Sequence, residues 1–191
     1  MNNKVKTMVG ISLLTAIVVV LQLFGATLKL GMFAGAVALL PIVIGAGLYG
    51  WKGGAWLGFA FGMTVLLSGD AAPFWAISIP GTIITVLVKG SGCGAVAGLI
   101  HTLLTKVNKT LGAYVAAIAA PIVNTGIFAA GCYVFFYQEL ANWNAGAYAS
   151  TTAYIFLFLI GFNFFIELGT SVLLAPVIVR LISLGKNKLH F

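Results

Sequence analysis

The sequence carries one long apolar run after another, each close to the roughly 20 residues that span the hydrocarbon of a bilayer as a helix. Six are read: Met8 to Leu28, Met32 to Gly50, Gly54 to Ser68, Ile79 to Leu104, Leu111 to Tyr137 and Tyr154 to Ile182. They are apolar all round, without the alternation of a β-barrel strand, so helices are the structure that satisfies their backbone groups in lipid. Hydrophobic residues make up 61% of the chain and charged ones 7%, against roughly 25% charged in soluble proteins. A water-facing surface cannot be clothed with so few. The expectation is an all-α integral membrane protein in which residues 1–191 form a single six-helix transmembrane domain.

Three local points refine this. Lys4 and Lys6 ahead of the first run resemble a secretory leader, but no small-x-small site closes it, so it reads as an uncleaved helix. The third run is short, and "GDAAPFWAISIPG" after it reads as a loop with an aromatic turn. Cys93 and Cys132 lie inside apolar runs and act as small packing residues.

Short loops rich in Lys and Arg stay in the cytoplasm. With six helices both termini share a side, which holds Lys4, Lys6, Lys52, Lys106, Lys109, Arg180, Lys186 and Lys188, while the opposite loops offer only Lys29. Both termini are therefore expected to be cytoplasmic. The net charge of +7 is then topological, and the lipid bilayer, not nucleic acid, is the expected charged partner. Asp70, Glu139, Trp75 and Trp143 fall in the outward loops, the tryptophans at the membrane interface or over a site.

Lys89 stands out because it lies about 13 Å below the outer end of the fourth helix, at about 1.5 Å per residue. A lysine at that depth costs about 2.5 to 3.5 kcal/mol on insertion scales and calls for a partner or a wet cavity, unless it snorkels to the boundary. Other polar residues gather at similar depth. Asn163 and Glu167, four apart on one face of the sixth helix, lie about 13 and 20 Å below its outer end; Asn124 lies about 20 Å down the fifth and Gln22 about 10 Å down the first. Thr82 and Thr85 share the stripe of Lys89. The inner halves are apolar down to His101 and the terminal cations, so a pocket open to the outside and closed below fits better than a pore. A bare Lys89–Glu167 pair between helices is the simpler alternative, but it leaves Asn124, Asn163 and Gln22 unexplained.

Gly54, Gly58 and Gly62 repeat at four-residue spacing, as do Gly90, Gly94 and Gly98, giving two smooth stripes for close helix packing. His101 and the tail His190 form no metal-ligand pair, and no metal site is expected. Nucleotide-binding, zinc-protease and serine-hydrolase motifs are all absent, so no catalytic residues are assigned and the chain is not read as an enzyme.

The segments "LPIVIGAGLYGWKGGAWLGFAFG", "KGSGCGAVAGLIHTLL" and "GFNFFIELG", with the six-helix reading, resemble the substrate-binding S components of bacterial energy-coupling-factor (ECF) vitamin transporters. The resemblance implies a multi-pass protein of the bacterial cell membrane that captures a small vitamin from outside with the outer halves of helices four to six. It also implies partners: a membrane coupling subunit and two cytoplasmic ATPase subunits, so that ATP is used by the partners and no cofactor is bound by this chain. Docking would run through small residues of the first helix, where the family's frequent Ala-xxx-Ala reads Ser12-xxx-Ala16.

On this reading Lys89, Asn124, Asn163, Glu167, Gln22 and Thr85 are the substrate-binding candidates, and Ser12 and Ala16 the docking ones. Lys89 can pair a carboxylate while the amides and Glu167 bond hydroxyls and amides, which suits pantothenate; riboflavin, folate and other vitamins are the alternatives, though no aromatic set for stacking a flavin or pterin is evident. A self-contained proton-coupled carrier or channel using Glu167 is the rival from another class.

Overall fold

The computed structural model describes residues 3–27 and 32–189, and the side chains of 4–27 and 36–186. Lys29 and His190 lie outside the described residues, as does the side chain of Lys188. Every regular element described is helical: α1 (Asn3–Thr27), α2 (Met32–Ser68), the short α3 (Ala72–Trp75), α4 (Ile79–Leu104), α5 (Lys109–Gly131), a π-helical stretch Cys132–Phe136, α6 (Tyr137–Asn144), α7 (Thr151–Ala153), a second π-helical stretch Tyr154–Gly161, and α8 (Phe162–Leu189). Among the described residues, five stretches are long and apolar enough to cross a membrane: Lys4–Thr27, Ala36–Ser68, Ile79–Leu104, Lys109–Asn144 and Thr151–Lys186.

Five rather than six follows from one joint. The second and third runs, expected as separate helices with a break over residues 51–53, are two helices joined without a loop and counted together as α2, whose only non-helical residue is Gly50 at the kink. Its φ of 73° and ψ of −169° fall where only glycine is at ease. The chain turns sharply there. A Cβ added to Gly54 would lie 2.8 Å from Ala46 Cβ, whereas residues eight apart in a straight helix are about 12 Å apart along the axis. The two halves of α2 therefore fold back on each other.

The glycine stripes then meet. Gly54 abuts the Gly94 carbonyl, Gly58 that of Gly90, and Gly62 that of Val86. Side chains of one hydrogen permit this backbone contact, in which dispersion between close helices replaces the hydrophobic drive that lipid cannot supply. Small residues continue the same logic at the lysine-rich end, where Ala113, Ala116, Ala117 and Ala120 of α5 pack with Ala46, Ala97 and Ala175.

Local signals set the helix ends. Ser78 caps α4, its hydroxyl accepting from the Gly81 amide at 3.2 Å, with Pro80 in the first turn where no amide is needed. Asn108 caps α5 by accepting from the amides of Thr110 and Leu111 at 2.9 and 3.2 Å. On α1, Leu13, Ile17, Val20 and Phe24 form an exposed apolar stripe, and Ser12 and Ala16 beside it are exposed too. The expected end of the fifth run at Tyr137 is too early, since helical structure continues through α6 to Asn144.

Backbone contact at the glycine stripes predicts that Gly58→Leu lowers unfolding stability by at least the about 1–3 kcal/mol typical of overpacking, while Gly126→Ala, inside α5 with an added Cβ that meets nothing within 4 Å, leaves it unchanged or raises it by up to about 1 kcal/mol. Denaturant or thermal unfolding in detergent measures both.

Candidate functional site

Folding α2 at Gly50 and packing its second half on α4 brings polar residues from five segments around one cavity of ≈ 290 Å³. All six substrate-binding candidates line it: Gln22 from α1, Thr85 and Lys89 from α4, Asn124 from α5, and Asn163 and Glu167 from α8. Ser12 and Ala16 do not. Gln22, Thr85, Asn124 and Glu167 are each less than 5% exposed, so their polar atoms must find partners within the fold or in whatever the cavity holds.

Glu167 is the hub. Asn124 Nδ2 donates to one carboxylate oxygen at 3.2 Å and Asn163 Nδ2 to the other at 3.1 Å. The four-residue step between Asn163 and Glu167 makes the second bond local to one face of α8, and the first ties α8 to α5. Both amides thus turn their nitrogens to Glu167. The simpler expectation of a bare Lys89–Glu167 pair is not met: no ion pair within 4 Å forms between them, and the Lys89 ammonium stands 5.2 Å from the centroid of the Phe128 ring, in reach of a cation–π attraction.

Among the described residues, three buried side-chain polar atoms have no hydrogen-bond partner: Gln22 Oε1, Thr85 Oγ1 and Asn124 Oδ1. Every one belongs to a residue of this cavity. An orphaned buried acceptor costs about 1–3 kcal/mol, so three in one chamber mark a place that a polar guest or water completes. Below Lys89 the chamber is closed by Gly90, Cys93, Gly94 and Ala97, all buried against α2.

Sequence reasoning missed two features of the wall. Asp70, read as an outward loop residue, reaches the mouth, where its Oδ2 accepts from Gln22 Nε2 at 2.6 Å and from the Ser68 hydroxyl at 3.0 Å. Phe61, Phe74, Phe128 and Phe136 form an aromatic side, with Phe74 at 5.5 Å from Phe128 and 5.0 Å from Phe136 between ring centroids. The expectation concerned only an aromatic set that stacks a flavin or pterin, and it did not anticipate this phenylalanine cluster. Its members come from α2, α3, α5 and a π-helical stretch, so no local spacing announces them; a phenylalanine on the polar stripe of a helix, as Phe128 is four residues from Asn124, is the available hint. Both π-helical stretches also contribute wall residues, Phe136 from one and Leu159 and Ile160 from the other. Trp143, itself exposed and not part of the lining, lies 6.1 Å from Phe74 of that wall.

The family model for the substrate-specific component of ECF transporters matches residues 6–179. The chain belongs to that family. It is thereby a multi-pass membrane protein of transport, a substrate-binding subunit of an ECF importer that associates with coupling and ATPase modules and takes a small-molecule substrate. No curated protein and no solved structure matches the chain.

If Glu167 is the hub, Glu167→Leu strands two amide nitrogens and lowers unfolding stability by about 1–3 kcal/mol for each, whereas Glu167→Gln, which keeps one acceptor oxygen, costs less. Unfolding of the detergent-purified variants tests the ordering.

Proposed function

We propose that the S component described here captures a small carboxylate-bearing, hydroxylated or amide-bearing vitamin, best matched by pantothenate, in the cavity around Lys89. The observation that carries this is the division of labour in the wall. Both oxygens of Glu167 already accept amide bonds and Asp70 accepts from Gln22 and Ser68. Lys89 is the charge in the wall with no carboxylate in contact, only the Phe128 ring, and a guest carboxylate supplies one. The orphaned oxygens of Asn124 and Gln22 can only accept, so the same guest donates through O–H or N–H groups; the Thr85 hydroxyl serves either way.

Size supports a small guest. At ≈ 290 Å³ the cavity sits at the lower edge of the roughly 300–1,000 Å³ that holds drug-sized ligands, which favours pantothenate over riboflavin or folate. The aromatic side formed by Phe61, Phe74, Phe128 and Phe136 offers an apolar face to the guest's aliphatic part.

On this reading the two halves of α2 cross the bilayer separately, giving six crossings and placing both termini on the cytoplasmic side with the lysines. The exposed stripe of α1 around Ser12 and Ala16 docks the membrane coupling subunit, ATP is consumed by the partner ATPases, and this chain binds no cofactor. The membrane is a bacterial one. A self-contained carrier driven through Glu167 would instead move vitamin across liposomes that contain this chain alone.

Titration calorimetry of the purified chain with pantothenate is expected to give a saturable site that Lys89→Ala abolishes and Lys89→Arg partly keeps. Removing one partner of a buried charged contact costs about 2–5 kcal/mol, a loss of at least about thirtyfold. Unchanged affinity in Lys89→Ala discards the anchor role.

A further inference from the structure

A second cavity, of ≈ 640 Å³, opens at the opposite end of the helices from the first. Its wall includes Lys52 just past the Gly50 turn, His101, Thr102 and Thr105 at the end of α4, and Lys186 near the end of α8. His101, expected as a residue of the interface, is 3% exposed, with its Nε2 at 3.4 Å from the Thr105 hydroxyl. The twelve residues from Lys89 to His101 put the two chambers about 18 Å apart along α4.

The charge of this chamber is one-sided. The chain has three acidic residues, namely Asp70, Glu139 and Glu167. Two line the first cavity, and Glu139 lies on α6, where its Oε2 accepts from Asn142. None is at this end, so Lys52 and Lys186 face an opening with no carboxylate among the described residues to answer them. Apart from the hydroxyl-bearing Thr7 and Tyr49, the rest of the wall is apolar, with Ile11 of α1, Leu48 and Trp56. The Trp56 ring is 53% exposed and is held along α1 by its indole N–H, which donates to the Thr15 hydroxyl at 3.2 Å. Lys52 also lies over the neighbouring exposed Trp51 ring, 5.6 Å from its centroid.

Cations and an exposed tryptophan at the ends of spanning helices are what the headgroup level of a bilayer selects, and basic pockets between such helices suit anionic headgroups. We propose that this cavity binds the phosphodiester headgroup of an anionic membrane lipid. Lys52 and Lys186 hold the phosphate, and Trp56, Ile11 and Leu48 line the path of the glycerol and upper acyl chain. A free phosphate shares the first half of that chemistry but has no use for the apolar wall. The inference is independent of which vitamin the first cavity takes.

Native mass spectrometry of the detergent-purified full chain, titrated with phosphatidylglycerol or with phosphatidylcholine, tests it. Phosphatidylglycerol is expected to be retained over phosphatidylcholine. The double variant Lys52→Gln/Lys186→Gln should weaken that retention on the order of thirtyfold, from about fivefold for each cation removed near an anionic headgroup. Lys52→Arg/Lys186→Arg should keep it, as should Lys106→Gln/Arg180→Gln, which removes the same charge outside the cavity. Equal retention of the two lipids, unchanged retention in the double glutamine variant, an equal loss in the outside control, or displacement of the lipid by an equal concentration of inorganic phosphate would each overturn the assignment. Should the double glutamine variant not fold, salt decides with the wild-type chain. Screening at about 1 M against about 0.1 M salt should strip phosphatidylglycerol, and salt-independent retention contradicts the proposal.

Discussion

The organisation of this protein turns on one buried carboxylate. Glu167 sits among apolar helices with both oxygens accepting amide hydrogens, one from α5 and one from its own helix. A charge in that setting persists only when hydrogen-bonded. Satisfying it forces Asn124 and Asn163 to present their nitrogens inward, and for Asn124 the consequence is a carbonyl oxygen left bare. The cavity is thus polar by construction: meeting one group's needs creates the unmet needs of the next, and those face the chamber.

The glycine contacts make the chamber possible from the other side. Because α4 touches the second half of α2 backbone to backbone at Gly54, Gly58, Gly90 and Gly94, that flank is dry and closed. The same two helices diverge in side-chain size toward the mouth, where Phe61, Val65, Thr82 and Thr85 replace glycine on the facing sides. Tight packing at one depth and an opening at another are both consequences of which residues recur every fourth position. A rigid floor under Lys89 also keeps the lysine from reaching the far boundary, so its charge is available to the chamber.

Much of the site was legible because polar residues are scarce. In a chain that is 7% charged, each buried Lys, Glu, Asn or Gln is conspicuous, and depth counted along a helix suffices to place Lys89, Asn124, Asn163, Glu167, Gln22 and Thr85 between the outer mouth and the midplane. What escaped depends on tertiary approach. Asp70 is in the loop after α2 and meets Gln22 across 48 positions of sequence; the phenylalanine side is assembled from four segments, and phenylalanine is too common here to signal anything alone. The joint at Gly50 was legible as a helix boundary but not as a reversal without a loop, since the φ that permits it belongs to one residue and leaves helical backbone on both sides. The lysines at Lys52 and Lys186 carried a topological message, and their place on one cavity wall depends on how the Gly50 turn of α2 and the end of α8 come together.

A thermal-shift screen of the detergent-purified wild-type chain against water-soluble vitamins measures the central claim most directly, because a ligand that binds only the folded state raises its melting temperature. The account predicts a saturable upward shift with a small vitamin that carries a carboxylate and O–H or N–H donors. A panel in which no such acid shifts the melt, or in which only cationic vitamins do, would contradict it.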